Sequence, residues 1–442
     1  MKSNRRVPPV WLMGLSNASF GLYGGIAFFA IPQVLATYHV SEARIAGITA
    51  TALSPNFWAV VFGPMLDVRF SRRWYATFFA ALASVLVFIA VINLSHLVVL
   101  EIALVAGSAA AILSTTALGG WLSTVCPKSD ENKLSAWYNL AYICSSGFTM
   151  VVGGELVRHL PLWLAAGVLA AIVFLPATIF LAIPAPGPDR RLAGESFSQF
   201  SREIFALLRR REVLITLLLF ITPCGSFALT NLLGGVGNDF SASPRMVSLA
   251  GGAGAIVPGI LGCMFFPFLS KRLPLRFLYL ANGTLGGLFT LSLVVLPHAP
   301  WTFALALLGE FFFQAISYTG TVALTFEAIG QNNPLAATTF TFLIAATNVP
   351  VAYMLYLDGR AYGFGGVRGS FAADAVLSIV VCLLIGLLLS RLQGEAFGSG
   401  IPAVDPVHTL LRDECATELW LCNAVMTVSI CGSVLLGCPV SR

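Results

Sequence analysis

Charged residues are scarce in this chain. Only 10% of its 442 residues are Asp, Glu, Lys or Arg, whereas 57% are hydrophobic. A soluble domain carries roughly 25% charged residues, so a fully water-exposed surface is excluded and lipid must cover most of the protein. The basic residues lie in short loops between apolar runs, so the net charge of +5 does not indicate a nucleic-acid partner.

Motifs for nucleotide binding, metal chemistry and covalent catalysis are also missing. The sequence contains no GxxxxGK[ST], HExxH or GxSxG motif. Its nine cysteines form no CxxC pair, which predicts packing residues rather than a metal site or a disulfide framework. We therefore expect no cofactor and no enzyme activity, and any transport must be driven by a gradient rather than by ATP.

Long apolar runs predict about twelve membrane spans. Crossing the hydrocarbon takes about 20 apolar residues as a helix, and only helices satisfy every backbone group inside lipid. Runs rich in Gly and Pro are therefore also expected to be helical. The predicted spans cover residues 11–38, 43–66, 74–94, 97–123, 134–157, 161–183, 213–236, 245–269, 275–297, 301–326, 335–357 and 370–390.

One segment occurs twice, at a constant offset of 203 residues. Pro55, Phe62, Pro64, Leu66, Arg69 and Arg73 recur as Pro258, Phe265, Pro267, Leu269, Arg272 and Arg276. Both copies are apolar runs that end in a short basic loop. A duplicated half of this kind is typical of transporters built from two related helix bundles.

The basic residues also predict an orientation and a division into domains. With a cytoplasmic N-terminus, eighteen Lys and Arg residues fall on the cytoplasmic side and five on the other. We expect an N-terminal six-helix bundle at 1–183, a cytoplasmic linker with an amphipathic helix at 184–211, and a C-terminal six-helix bundle at 212–391. The tail at 392–442 is either poorly ordered or an extra helix, because 419–441 carries no charge.

The loop Gly63-Pro64-Met65-Leu66-Asp67-Val68-Arg69-Phe70-Ser71-Arg72-Arg73 resembles the signature between the second and third helices of the major facilitator superfamily. It departs from that signature at Val68, where an Arg is usual, and at Ser71, near the usual Gly. The segments Leu134–Leu140 and Pro334–Phe342 are similar to the branch of the muropeptide permease AmpG and the acetyl-CoA transporters. The resemblance implies a central cavity lined by the first, fourth, seventh and tenth helices.

The tenth predicted span carries a polar face. At about 100° per residue, the polar residues from Glu310 onward fall on one narrow side of a helix that is otherwise apolar: Glu310, Gln314, Ser317, Tyr318, Thr321 and Thr325. Lipid excludes such a stripe, so it contacts either water or another helix. We favour a cavity lining over polar contacts between packed helices.

Glu310 is the strongest candidate for proton coupling. It lies about nine residues inside its span, or about 13 Å along the axis, where an ionised carboxylate is costly and the neutral form is favoured. A carboxyl group that gains and loses a proton is what proton symport requires. The alternative is a permanently protonated Glu that only donates a hydrogen bond.

The other cavity candidates are weaker. Ser226, Thr230 and Asn231 repeat the polar pattern in the seventh span, Ser108 lies in the fourth, and Asn17 and Gln33 lie in the first. Glycines 21, 24 and 25 beside Asn17 also fit close helix packing. Glu101, near the end of its span, is more typical of an interfacial residue.

Asp67 is predicted to form a gate with the arginines that follow it, Arg69, Arg72 and Arg73. A carboxylate at a helix end can pair with Arg or with a helix N-terminus and hold two bundles together. Charges that only set topology would explain the arginines but not the aspartate. The second copy has Ser270 in place of Asp67, so an acidic latch would be one-sided.

The sequence thus predicts an all-α integral membrane protein of the major facilitator fold that moves a neutral polar or amphiphilic solute, such as a muropeptide or sugar-like compound, by proton-coupled alternating access. Its expected partners are that solute, protons and the lipid bilayer, and we expect a monomer in a bacterial inner membrane. One alternative is a proton-antiport exporter, suggested by Phe311, Phe312 and Phe313. An alternative of another class is a membrane enzyme or a non-transporting receptor.

Overall fold

The computed structural model is built from helices. It describes residues 8–185, 202, 205–207, 209–226, 228–233, 235–331 and 333–398, and these ranges contain no β-strand. The predicted all-α fold is confirmed. Nine helical segments in these ranges are long and apolar enough to cross a membrane, and the last of them, Ala336–Arg391, is long enough for two passes.

The N-terminal half contains six spans, which are numbered here in chain order. They are span 1 (Val10–Thr37), span 2 (Ala43–Asp67), span 3 (Arg72–Ile92), span 4 (Leu97–Val125), span 5 (Lys128–His159) and span 6 (Leu162–Leu181). Span 1 packs closely on span 5, because a Cβ at Gly21 would overlap Ser145 and a Cβ at Gly25 would overlap Thr149.

The described part of the C-terminal half contains helical segments that are numbered here as spans 7 to 12. Span 7 is interrupted, with helices Arg211–Ile221 and Ala228–Leu233 joined through a turn of 3-10 helix at Pro223–Gly225. Span 8 is Arg245–Leu269, span 9 is Leu275–Leu293 and span 10 is Pro300–Ile329. The last two spans share the helices Ala336–Ala346 and Asn348–Gly398, and the second helix breaks at Gly366, where φ is 59°. Span 11 runs from Ala336 to this break, and span 12 follows it.

The break at Gly366 reverses the chain. Ser370 Oγ donates a hydrogen bond to the carbonyl oxygen of Asp358 at 2.8 Å, so the residues on either side of the break lie against each other. Span 11 therefore continues past residue 357, where the sequence predicted its end. Asp358 consequently belongs to the span and not to a loop.

The repeated segments occupy equivalent places but differ in local geometry. Pro55–Trp58 is α-helical and Ala59–Asp67 continues as 3-10 helix, whereas the second copy lies in the α-helix Ala253–Leu269. Both lead into a short basic loop, which holds Arg69 in the first copy and Lys271 and Arg272 in the second. We call the end of the bundles that carries these loops the basic end, and the other end the opposite end.

The two bundles contact each other closely near the basic end. A Cβ at Gly120 of span 4 would lie 2.6 Å from the backbone of Ala337 in span 11, and one at Gly63 of span 2 would lie 2.7 Å from Thr341. Gln331 Nε2 also donates to the carbonyl of Cys126 at 3.2 Å. These contacts close the basic end. Most of the predicted amphipathic linker helix, and the tail beyond residue 398, lie outside the described residues.

Candidate functional site

A small polar cavity lies inside the C-terminal bundle. Its volume is about 30 Å³, and it is lined by residues of spans 7, 9, 10 and 12: Pro223, Cys224, Ser226, Leu229, Asn282, Gly283, Gly286, Gly287, Thr290, Glu310, Phe313, Asp374 and Ser378. A cavity needs at least 10–15 Å³ to hold one water molecule. The space therefore fits one or two water molecules and is too small for an organic solute.

Glu310 faces this cavity from span 10. Its Oε1 accepts a hydrogen bond of 2.5 Å from Thr290 Oγ1 of span 9. The residue is half-buried and lies ten residues past Pro300, about 15 Å along the helix axis from the opposite end. The structure thus places Glu310 well inside span 10 and adds Thr290 as its partner.

Two aspartates that the sequence analysis missed lie beside Glu310. Asp374 of span 12 lines the same cavity and is 8% exposed. Asp358 of span 11 is fully buried, and neither of its carboxylate oxygens has a hydrogen-bond partner. Asp358 interacts electrostatically with both Asp374 and Glu310. Each aspartate lies eight residues from Gly366, so the signal that points to them is their equal spacing from a glycine turn.

No basic side chain neutralises these carboxylates in the part of the chain that the structure describes. The ion pairs recorded there involve other acids, such as Glu101 with Arg44 at 2.7 Å and Glu155 with Arg158 at 3.0 Å. Thr51 also donates to Glu101, which places that residue in a contact between spans 2 and 4.

The polar face of span 10 divides between two neighbours. Ser317, Thr321 and Thr325 are buried, and Ser317 accepts a hydrogen bond of 2.7 Å from Asn282 of span 9. Ser317 and Thr321 therefore contact span 9, through Asn282 and Tyr279, while Thr325 donates to the carbonyl of Thr321 in its own helix.

Gln314 and Tyr318 instead face the N-terminal bundle. Both are half-buried, and the two side chains are hydrogen-bonded to each other. The carbonyl of Tyr318 accepts a bond of 3.2 Å from Asn139 of span 5. Tyr142, also of span 5, interacts with Tyr318 and stacks on Phe20 of span 1 with ring centroids 5.3 Å apart. This group lies where a central cavity between the bundles is expected.

The other predicted cavity residues are dispersed. In span 7, Ser226 lines the small cavity, Thr230 is half-buried and Asn231 is exposed. In the N-terminal bundle, Ser108 donates to the Tyr23 hydroxyl at 3.4 Å, and Gln33 is exposed.

Asn17 belongs to a buried network that joins spans 1, 4 and 5. Its Oδ1 accepts from Thr115 Oγ1 at 2.6 Å, and its Nδ2 donates to the carbonyl of Tyr138 at 3.1 Å. The Tyr138 hydroxyl lies 2.6 Å from Thr115 Oγ1. The amide of Asn17 thus serves contacts between helices in this conformation.

Asp67 is fully buried and connects the two bundles at the basic end. Its Oδ2 accepts two bonds of 2.7 Å from Thr338, one from the backbone N–H and one from the hydroxyl. Its Oδ1 accepts from the backbone N–H of Ala337 at 3.1 Å and from Arg72 Nε at 2.7 Å. Residues 337 and 338 open the helix Ala336–Ala346, so Asp67 caps a helix N-terminus across the bundle interface.

Arg72 is the arginine that donates to Asp67, and neither Arg69 nor Arg73 does so. Arg72 is 1% exposed and also donates to the carbonyl of Pro334 at 2.8 Å. Arg69 has φ of 69° and lies over the ring of Phe70, while Arg73 lies over the ring of Trp121. Of the three arginines in the predicted gate, Arg72 is therefore the one that bonds to Asp67.

Residues 13–345 match the family model described as Major Facilitator Superfamily. The chain belongs to the major facilitator superfamily. The match covers most of the chain, including the two bundles' contact at Asp67. Among curated proteins, none matches this chain.

Solved structures of other transporters share its fold. The E. coli fucose:proton symporter FucP has a TM-score of 0.64 at 16% identity, with 85% of this chain and 98% of that chain covered. A bacterial homologue of the iron transporter ferroportin, in its outward-facing state, has a TM-score of 0.62 at 14% identity, covering 87% of this chain and 100% of that one. The nucleoside transporter NupG has a TM-score of 0.54 at 14% identity, covering 85% and 98%. At these identities the likeness shows the fold alone.

Proposed function

We propose that this superfamily member is a proton-coupled transporter of a neutral polar solute that works by alternating access, with Glu310 as the residue that carries the proton. The observation that carries the proposal is a carboxyl group in the membrane interior that has a hydroxyl partner and no basic partner in the described residues. A carboxylate in such a place is stable only when it binds a proton or meets a compensating charge.

The polar groups between the bundles favour a neutral cargo. Spans 1, 4 and 10 contain no Lys or Arg, and in span 7 the only one is Arg211, at its first residue. A multiply anionic solute such as an acetyl-CoA would need several cations there. The stacked rings of Phe20 and Tyr142, next to Gln314 and Tyr318, suit a ring-shaped polar compound, since sugars and bases stack on aromatic faces.

A muropeptide or another sugar-like compound fits these requirements. The segments Leu134–Leu140 and Pro334–Phe342, which resemble the AmpG branch, support this choice. FucP, a fucose:proton symporter, has a similar fold. We further propose that the protein is a monomer in a bacterial inner membrane with its N-terminus, and hence its basic end, in the cytoplasm.

Alternating access follows from the one-sided contact between the bundles. Asp67 and Arg72 of the N-terminal bundle hold the basic end closed through Thr338 and Pro334 of the C-terminal bundle, and these bonds across the interface must break before the bundles separate there. Binding of solute and proton in the central region would supply the energy for that change, because a ligand shifts an equilibrium by its differential affinity for the two states.

Export of a hydrophobic compound is less well supported. The phenylalanines that suggested it pack within the C-terminal bundle, since the ring of Phe312 lies 6.5 Å from that of Phe265 and the ring of Phe313 lies 5.7 Å from that of Phe289. These phenylalanines therefore do not give the cavity between the bundles an apolar lining.

Solute-induced proton flux in proteoliposomes tests the proposal. Anhydro-muropeptides, monosaccharides, nucleosides and lipophilic cations would be added to vesicles that contain a trapped pH dye. A cargo should acidify the lumen with wild-type protein and not with Glu310→Gln, while exchange of labelled for unlabelled cargo persists in that variant. Glu155→Gln, at an exposed ion pair, is the matched control and should behave as wild type. Wild-type flux in Glu310→Gln would reject Glu310 as the proton carrier.

A further inference from the structure

Three carboxyl groups from three different spans meet in the C-terminal bundle. Glu310 comes from span 10, Asp358 from span 11 and Asp374 from span 12, and each interacts electrostatically with at least one of the others. All three lie about 12–15 Å along their helices from the opposite end. We call this group the carboxyl cluster.

The cluster surrounds a space that water can occupy. Glu310 and Asp374 both line the cavity of about 30 Å³, together with the hydroxyls of Ser226 and Ser378. Asn282 also lines the cavity, and its Nδ2 donates hydrogen bonds to the carbonyl of Phe313 and to Ser317 Oγ. The cavity is therefore polar and roomy enough for a water molecule that joins the two carboxyl groups.

Nothing in the described surroundings compensates three negative charges. The titratable groups that face the cluster are Tyr353 of span 11, Cys382 of span 12, and Cys224 and Tyr279, which interact with both of them from spans 7 and 9. Phenol and thiol groups are ordinarily neutral at neutral pH. Like charges that share a buried site resist joint ionisation, so the cluster must hold protons or a cation.

The two buried aspartates support the need for a bound proton or cation independently of Glu310. Asp374 is 8% exposed and lines the cavity, and no hydrogen bond to its carboxyl group is recorded. Asp358 is fully buried with both oxygens unpartnered. An ionised carboxylate without any donor is very costly inside a protein, which favours a bound proton at Asp358.

We propose that Glu310, Asp374 and Asp358 form one proton-binding cluster, in which Glu310 and Asp374 share a transported proton across the water-sized cavity. This inference rests on the proposed proton coupling and deepens it. The proton is bound by Glu310 and Asp374 together, with Asp358 beside them, rather than by Glu310 alone. A metal ion is a poorer occupant, since no group of three His, Cys, Asp or Glu side chains in the described part of the chain is arranged to hold one.

Labelling with dicyclohexylcarbodiimide tests the cluster without a known solute. This reagent adds to protonated carboxyl groups in apolar surroundings, and mass spectrometry locates each adduct. At neutral pH, Glu310, Asp374 and Asp358 should be labelled in the purified full-length protein, whereas the exposed Glu155 should not. In Glu310→Gln, labelling of Asp374 at mildly alkaline pH should fall by about threefold or more, because a neutral neighbour lets Asp374 ionise. Glu310→Asp should keep wild-type labelling, which separates this effect from misfolding.

Two outcomes would overturn the cluster. Equal labelling of Asp374 in wild type and Glu310→Gln across the pH range would show that the two groups do not share a proton. Protection of the wild-type cluster by sodium chloride, but not by choline chloride, would identify a sodium site instead. Either outcome, obtained while Glu310→Gln still abolishes proton flux, would reject the cluster and leave the proposed function standing.

Discussion

Asp67 and Thr338 are 271 residues apart in the chain, and the carboxylate of the first accepts both the backbone N–H and the hydroxyl proton of the second at 2.7 Å. With Arg72 on its other side, Asp67 joins the end of span 2 to the first turn of span 11. Because these groups are buried, the contact is screened little by solvent and its loss should be felt strongly.

Asp67→Asn should open the basic end. The substitution removes the charge from the group that accepts the Ala337 and Thr338 N–H bonds across the interface. A hydrogen bond to a charged group contributes about 1.5–3 kcal/mol, and each 1.4 kcal/mol changes an equilibrium about tenfold. The buried thiol of Cys126, whose carbonyl accepts from Gln331 across the interface, is a native reporter of opening. Maleimide should therefore modify Cys126 at least about tenfold faster in Asp67→Asn than in wild type.

Arg69→Gln is the control for this prediction, since Arg69 is exposed and lies over Phe70 rather than on Asp67. It should leave the labelling rate of Cys126 unchanged. Equal rates in Asp67→Asn and Arg69→Gln would mean that Asp67 does not hold the basic end closed.

Gly120→Leu should prevent the basic end from closing. A Cβ at this position would lie 2.6 Å from the backbone of Ala337, which cannot move aside as a flexible side chain can. We expect a folded protein in which solute exchange is lost and Cys126 is readily modified. Gly167→Leu is the matched control, because nothing lies within 4 Å of a Cβ there. Normal exchange in Gly120→Leu would refute the close approach of spans 4 and 11.

The organisation into two bundles can be predicted from sequence patterns, whereas the helix type of the repeated segments cannot. The offset that relates Pro55 to Pro258 predicts two equivalent segments, and they do occupy equivalent spans. It does not predict that one is 3-10 helix up to Asp67 while the other remains α-helical. Nor does the offset reveal tertiary contacts such as that of Gly63 with Thr341.

The polar face of span 10 shows the same limit. Helical spacing places Ser317 and Tyr318 on one side of the helix, but it cannot say which neighbour each meets. Ser317 contacts Asn282 in its own bundle, and Tyr318 contacts Asn139 in the other. Asp358 was missed for another reason, because the apolar run ends one residue before it and the turn at Gly366 lies well beyond.

Asp358→Leu should stabilise the protein. Both carboxyl oxygens are buried without partners, and leaving a buried polar group unsatisfied costs about 1–3 kcal/mol. An apolar side chain of similar size removes that penalty, so the thermal unfolding temperature in detergent should rise by several degrees. Asp358→Asn remains polar and should not stabilise. A fall in the unfolding temperature of Asp358→Leu would show that the carboxyl group has a favourable partner.

Accumulation of cargo against its own gradient tests the central claim most directly. Once the solute panel has identified a cargo, its steady-state concentration would be measured in wild-type proteoliposomes that have an inwardly directed proton gradient of about one pH unit, worth about 1.4 kcal/mol. Transport of one proton with one neutral solute predicts accumulation approaching about tenfold, abolished by a protonophore and by Glu310→Gln. Equal concentrations inside and outside, with the gradient intact, would show that solute movement is not coupled to protons and would contradict the account.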